Sequence, residues 1–355
     1  MNDANFDIVV VGLGPAGSSA AAAAARAGCR VLAFDRRREP GRPVQCAEFV
    51  PALIGIEVDG LSHSVQQSIA SMATFVEGDA PDVHENFPGQ MLDRAAFDAA
   101  LVQRAAAAGA ACAFGVDGRP LAGGRMTLSD GRRVGAKVIV GADGPRSRVG
   151  RAIGHRNEAL VETRQITVAL KQPSEATDIF LSRDIAGGYG WLFPKGPFAN
   201  LGAGVDPDHK VRLKAIVDRL HRSLVAEGRV GTDVLALTGG AIPVGGMVGP
   251  TGALGSTLVL LAGDAAGLAH PITGAGIAAA VHSGRLAGEA AARACGGDAS
   301  AARDYDEELR DVFGAALERA VRRRRELASA MRAGVSGAKA ALRRGWIAYP
   351  EYWAA

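Results

Sequence analysis

The sequence predicts an α/β protein of two lobes followed by helices, and three observations carry that reading. A β-branched run is followed by a Gly-x-Gly-x-x-Gly turn and an alanine-rich stretch, which make a strand, a tight turn and a helix. Two later apolar runs each end in a turn built on Asp and Gly. Between and after them lie segments with aromatics at every second position, the pattern of strands with one buried face.

The elements follow in order. Phe6 to Val11 is a buried strand, and the helix after Gly17 runs to Ala27, where Gly28 stops it. Arg30 to Phe34 is the second strand, ending at Asp35, so the chain opens as a β–α–β unit with a parallel sheet. Arg36 to Pro51 has no period and reads as a loop, and Leu61 to Val83 is ambiguous. Arg94 to Ala108 has helical spacing, with Phe97, Leu101 and Val102 on one face. Lys137 to Val140 is a buried strand. Ile166–Leu170, Tyr189–Phe193 and Asn200–Val205 read as a second sheet, with Pro194-Lys195-Gly196 turning the chain. Val211–Ala226 is an amphipathic helix, Thr257–Ala262 a parallel-type strand and Gly276–Ala294 a helix. Ala301 to Leu342 is helical, with breaks near Gly334 and Gly337.

Composition excludes several classes. The 355 residues are 48% hydrophobic and 22% charged, enough for a sizeable core and too apolar for disorder. A formal net charge of +3 gives no reason to expect nucleic acid as a partner. The four cysteines, Cys29, Cys46, Cys112 and Cys295, form no CxxC, so neither a disulfide framework nor a zinc site is expected. No basic segment opens the chain and no unbroken apolar run of membrane-spanning length occurs, so a cytoplasmic location is expected.

The Gly12-Leu13-Gly14-Pro15-Ala16-Gly17 turn has the spacing of a dinucleotide-binding Rossmann-type unit. Gly12 makes the turn, Gly14 lets a pyrophosphate approach the backbone, and Gly17 lets helix and strand pack. The helix N-terminus offers free N–H groups to phosphates, and Asp35, 18 residues after Gly17, suits ribose hydroxyls. This motif alone does not separate FAD from NAD(P).

The later turns are Gly141-Ala142-Asp143-Gly144-Pro145 and Ala262-Gly263-Asp264-Ala265. With these three motifs in this order, the chain resembles the flavoprotein superfamily of aromatic hydroxylases and geranylgeranyl reductases. The resemblance implies FAD, with Asp264 on the ribityl hydroxyls, Asp143 beside the pyrophosphate and Arg94 on the flavin-binding helix. It further implies adenine against the backbone of Val116, and contacts from Gly12, Gly14, Pro15, Ala16, Gly17, Asp35, Arg36 and Gly263. His270-Pro271-Ile272-Thr273-Gly274-Ala275-Gly276-Ile277 opens a helix whose N-terminus would favour a negative flavin ring, with Pro271, Gly274, Gly276 and Ile277 against it. His270 reads first as a hydrogen-bonded residue at the pocket edge.

Two segments resemble the geranylgeranyl reductases in particular. Tyr189-Gly190-Trp191-Leu192-Phe193-Pro194-Lys195 is similar to their YxWxFPK stretch; Tyr189, Trp191 and Phe193 either fill a core or wall an apolar substrate slot. Cys46-Ala47-Glu48 resembles their Cys-Gly-Glu segment near the flavin, with Ala47 in place of glycine and Phe49 where glycine is usual. Cys46 and Glu48 are the expected catalytic residues, the loop arginines Arg36, Arg37, Arg38 and Arg42 being available to lower the Cys46 pKa. Cys29, Cys112 and Cys295 lie in or beside apolar stretches and read as structural.

The expected function is FAD-dependent reduction of a C=C bond in a prenyl or other apolar small-molecule or lipid substrate. A monooxygenase and a non-catalytic flavin-binding subunit are the alternatives. With one GxGxxG present, electrons are expected from an external donor, NAD(P)H or a ferredoxin-like protein. The expected FAD domain takes 1–60, 93–150 and 256–300, the substrate domain 61–92 and 151–255, and a helical extension 301–355. Residues 300–345 carry 11 Lys/Arg against 7 Asp/Glu, including Arg322 to Arg325, and are followed by Trp346, Tyr349, Tyr352 and Trp353. That extension reads as a solvated helix and a tail packed on the body, or as a peripheral membrane contact.

Overall fold

The computed structural model describes residues 3–52, 63–120, 122–333 and 337–354. The expected boundary at 60/61 and the expected break near Gly334 lie outside the described residues.

The first lobe is built on five parallel strands in the order Thr257–Leu261, Arg133–Gly141, Asp3–Val11, Val31–Asp35, Ala111–Phe114. Ile8, Val10, Ala33, Val140, Val259 and Leu260 at their centres have no solvent exposure: helices Pro15–Arg26 and Ile277–Cys295 pack on the sheet, and the hairpin of Gly118–Pro120 and Arg125–Leu128 reaches Phe34. Ala111–Phe114 was missed in the sequence because Ala-Cys-Ala-Phe is too short to show a period. Thr251–Leu254 pairs antiparallel with Thr257–Leu261 at the edge of this sheet. Gly12, Asp35, Asp143 and Gly263 all follow the carboxyl ends of the parallel strands, where doubly wound sheets bind ligands.

Two helices, Pro15–Arg26 and Ile277–Cys295, run side by side on this sheet. A Cβ on Gly284 would sit 2.1 Å from the Ala16 carbonyl oxygen, and one on Gly288 would sit 2.3 Å from that of Ala20. Glycine is what lets the two backbones touch.

The second lobe is a sheet in the order Val230–Thr238, Leu160–Leu170, Phe198–Val205, Gly190–Lys195, Ala176–Leu181, Ser71–Val76, Asp82–His84. Every neighbouring pair is antiparallel except Ala176–Leu181 with Ser71–Val76. Pro194 stays in its strand opposite Ala199, so the turn is narrower than expected and Lys195 remains on the sheet. Helix Leu213–Ala226 covers one face through Ile166, Val168, Leu192, Leu201 and Val217. The other face turns toward the first lobe. A small sheet, Phe49–Pro51, Gly89–Leu92 and Val65–Ile69, joins the expected loop 36–51 to the ambiguous 61–83 region.

The C-terminal helices are Ala301–Leu309, Ala315–Arg332 and Ala338–Arg344, with a π-turn at Arg310–Gly314 and a last turn at Pro350–Trp353. The tail packs on the body. Trp346, Tyr349 and Tyr352 are buried. The basic run does not form one charged face. Arg323 is 1% exposed and donates to the carbonyls of Tyr352 and Ala354, Arg324 pairs with Asp206, and Arg322 pairs with Glu326. Trp353 alone of the tail aromatics is exposed, beneath the Arg319 guanidinium at 5.2 Å.

Candidate active site

The glycine turn has the geometry its spacing predicts. Gly12 has φ +97°, and a Cβ there would lie 2.4 Å from the Ala142 carbonyl oxygen, so the first and second motifs pack backbone to backbone. The helix that follows has no side-chain cap, leaving its first amides unspent, and beside Gly14 a Cβ would meet nothing within 4 Å. An open cradle at an uncapped helix N-terminus fits a pyrophosphate.

Asp35 is partly committed. Its carboxylate accepts from the amides of Leu13 at 2.9 Å and Arg37 at 2.8 Å, which aims the acid at the glycine turn. Arg36 beside it is exposed. The Val116 amide donates to the Asp35 carbonyl, so an adenine contact there falls to the Val116 carbonyl.

Asp143 is a helix cap. It accepts from the Ser147 hydroxyl and from the amides of Arg148 at 2.6 Å and Val149 at 3.2 Å, and burial pushes its pKa up. It holds the turn against Gly12. Asp264 differs: burial raises its pKa to about 6, and the Arg94 charge opposes the rise. A Cβ on Gly276 would lie 3.3 Å from Asp264 Oδ1, so this carboxylate stands at the uncapped N-terminus of Ile277–Cys295. Asn157 was invisible in the sequence. Its side-chain amide donates to the carbonyls of Pro145 at 3.0 Å and Asp264 at 2.8 Å, tying the two aspartate turns together.

The 270–277 segment is a preformed loop: the His270 amide donates to the Ala275 carbonyl and the Gly274 amide to the His270 carbonyl, both at 2.8 Å. Pro271 and Ile277 are buried, and Gly274 approaches Ile242 of the second lobe. Burial lowers the His270 pKa to about 4, so the ring is neutral at neutral pH. Its Nδ1 accepts from the Thr273 amide at 3.3 Å, placing the proton on Nε2, 3.5 Å from the Tyr352 hydroxyl.

Cys46 and Glu48 share a neighbourhood: the Glu48 amide donates to Cys46 Sγ at 3.2 Å, and Arg94 lies beside both. Cys46 adjoins Arg94; burial, the largest influence, lowers the guanidinium pKa, and Asp98 and Cys46 together outweigh it, so the pKa rises. The arginine near the thiol is therefore Arg94, and the loop arginines are elsewhere: Arg37 donates to Gln45, and Arg42 pairs with Glu39. Arg94 also holds Asp98 with two bonds, at 2.9 and 3.0 Å. Cys46 additionally influences the Tyr189 phenol, whose pKa is raised first by burial and then by Cys46.

Glu48 is held as a clamp between the two lobes. It is 5% exposed and sits at φ +68°, a left-handed conformation that a non-glycine residue keeps only under external restraint. The restraint is visible. Its carboxylate accepts from the Arg94 amide at 3.1 Å, Lys195 Nζ at 2.7 Å and Asn200 Nδ2 at 3.0 Å. Asn200 also donates to the Ala47 carbonyl at 3.2 Å, and Gln165 to the Cys46 carbonyl at 3.2 Å. The second lobe thus sets the backbone around Cys46.

Trp191 and Phe193 are buried on the face turned toward the first lobe, with Tyr189 partly buried beside them. They share a cluster with Phe49, Phe87, Ile272 and Trp346. Phe49, in place of the usual glycine, packs 5.4 Å from Phe193 between ring centroids. Core and wall coincide in this stripe. Cys29, Cys112 and Cys295 lie apart from the site in the first lobe's core, and burial raises the pKa of each, that of Cys295 to about 11.

A parallel-sheet lobe with an uncapped glycine turn, a second sheet facing it and a thiol between them define a two-lobed nucleotide-dependent oxidoreductase. Residues 10–65 match the model of the NAD(P)-binding Rossmann-like domain. A solved geranylgeranyl bacteriochlorophyll reductase-like protein of Thermoplasma acidophilum superposes with a TM-score of 0.80 at 25% identity, covering 99% of this chain and 98% of that one. A probable FAD-dependent monooxygenase of Pseudomonas aeruginosa shares the fold, with TM-score 0.67 and 19% identity over 92% of this chain and 96% of its own. In sequence, the chain is 36% identical to digeranylgeranylglycerophospholipid reductase 1 of Methanopyrus kandleri over 88% of this chain and 89% of the relative. It is 33% identical to the reductase of the same name from Methanosarcina acetivorans, over 87% and 79%. The chain belongs to the geranylgeranyl reductase family of FAD-dependent oxidoreductases.

Proposed function

We propose that this protein binds FAD and reduces carbon–carbon double bonds in a prenyl lipid of the digeranylgeranylglycerophospholipid class. One observation carries the reading: Cys46 stands beside Arg94 and influences Tyr189, while its neighbours Ala47 and Phe49 join the aromatic cluster of the second sheet. The residues around the glycine turn, Asp35 and Asp264 fit the cofactor, and Arg36, now exposed, is assigned to its adenosine end. When bound, FAD supplies the hydride for one alkene carbon. Cys46 gives its thiol proton to the other carbon, and the Arg94 charge holds the thiolate until solvent returns a proton. Tyr189, Trp191 and Phe193 exclude water and align the prenyl chain. Glu48, Lys195, Asn200 and Gln165 hold the Cys46 backbone in place.

The parallel-sheet pieces of the chain, with 251–255 added, act as the cofactor lobe, and the second sheet as the substrate lobe. The electron donor is external, a nicotinamide nucleotide or a small redox protein. Among the described residues no helix is long and apolar enough to cross a membrane.

The test is anaerobic. Photoreduced protein mixed with a geranylgeranyl lipid should reoxidise and yield product with two more hydrogens per double bond. Cys46→Ala should slow this by about 100-fold while keeping its flavin. Reoxidation by oxygen alone, with a hydroxylated product, would instead establish a monooxygenase.

A further inference from the structure

Each of the three tryptophans carries one indole N–H donor, and the three fare differently. Trp191 Nε1 donates to Gln165 Oε1 at 3.0 Å, and Trp353 Nε1 to the Ile347 carbonyl at 2.9 Å. Trp346 is 3% exposed, and its Nε1 has no acceptor among the described residues. A buried unpaired donor is costly, so a fold keeps one chiefly where something else supplies the acceptor. The ring is well placed for that. Its centroid lies 4.8 Å from Tyr189, whose hydroxyl donates to the Thr273 carbonyl at 2.6 Å in the preformed loop. The segment carrying it is strapped down on both sides: Arg343 and the Tyr349 hydroxyl bind Asp82, and Arg323 holds the tail carbonyls.

We propose that Trp346 is a substrate-binding residue contributed by the C-terminal segment, its indole N–H donating to an uncharged oxygen of the lipid. This rests on the reading of the site as a prenyl-lipid reductase. An uncharged oxygen, ether or hydroxyl, is favoured because Trp346 shares its cluster with Leu327, Met331, Leu342 and Tyr189. A phosphate there would be a buried charge facing apolar groups. The prenyl chain then lies along the aromatic strand, with its oxygen end under Trp346.

The experiment uses full-length flavin-loaded protein and Trp346→Phe, which keeps a ring and removes the donor. Three probes are titrated by the change in flavin absorbance: geranylgeraniol, geranylgeranyl phosphate and the corresponding oxygen-free C20 hydrocarbon. The expected result is a roughly 5- to 10-fold weaker Kd of the variant for geranylgeraniol and an unchanged Kd for the hydrocarbon. Equal loss on all three probes, loss on the phosphate alone, or no loss overturns the assignment. If Trp346→Phe does not fold, the wild-type protein is labelled at the indole nitrogens. A shift of a buried indole N–H resonance on adding geranylgeraniol but not the hydrocarbon supports the assignment, and its absence overturns it. Wild-type protein that binds geranylgeraniol but reduces no prenyl compound contradicts the reductase reading while leaving the Trp346 comparison decisive.

Discussion

At the scale of single residues, Asp264 shows function working against stability. Its pKa is about 6 in the folded protein, above the ordinary carboxylate value, so the folded chain holds this proton more tightly than the unfolded chain. The ionised form therefore detracts from stability, fully above about pH 6 and not at all below about pH 4. Asp264→Asn should stabilise the flavin-free protein at pH 8 by up to about 3 kcal/mol, with a smaller gain at pH 5, and should weaken FAD by tenfold or more. Denaturation at both pH values and a flavin titration check the two halves. Asp35, Asp143 and Asp264 were legible because each follows an apolar run at a turn. The surroundings of Cys46 were not. Gln165, Lys195 and Asn200 reach its segment across more than 100 residues of chain, and only strand pairing brings them there. The loop arginines were the near neighbours in sequence, and Arg94 is the near neighbour in space.

At the scale of elements, long strands and helices with a clear period were readable, and the short or mixed ones were not. Val230–Thr238 escaped notice because its middle residues are exposed on both sides, so no alternation marks them. The strands within 61–83 have polar residues at half their positions and are set by pairing with Gly89–Leu92 and Ala176–Leu181. The contact between the two glycine-turn helices yields a prediction. Gly284→Ala would drive a methyl into the Ala16 carbonyl and should cost about 2 kcal/mol, with reduced flavin content on purification. Thermal melts and the absorbance of the bound flavin measure it.

At the scale of the whole molecule, the C-terminal segment joins the lobes. Tyr305 donates to the Leu261 carbonyl at 2.7 Å, just before the Gly263–Asp264 turn, while Lys339 and Arg343 reach Asp79 and Asp82 on the far sheet. Its charge count suggested a surface patch, since composition cannot show that neighbouring arginines point in different directions. Arg323→Ala should free the tail: proteolysis should remove residues beyond 338 much faster than in the parent, and melting should fall by about 2 kcal/mol. Flavin binding should be unaffected, because Arg323 contacts none of the cofactor residues.

The glycine contact between the helices also sets a length. Gly284 faces Ala16 and Gly288 faces Ala20, so the helices run in the same direction with a fixed offset. Counting back from that contact, Ile277 starts about six residues ahead of Pro15, roughly 9 Å at 1.5 Å per residue. Two positive helix ends therefore stand like the jaws of a caliper, which the proposed FAD would span with its phosphates at one and its ring at the other. A change that slides one helix along the other alters both grips together. Affinity for the phosphates and the reduction potential of the ring should then shift in concert across a series of variants at this contact.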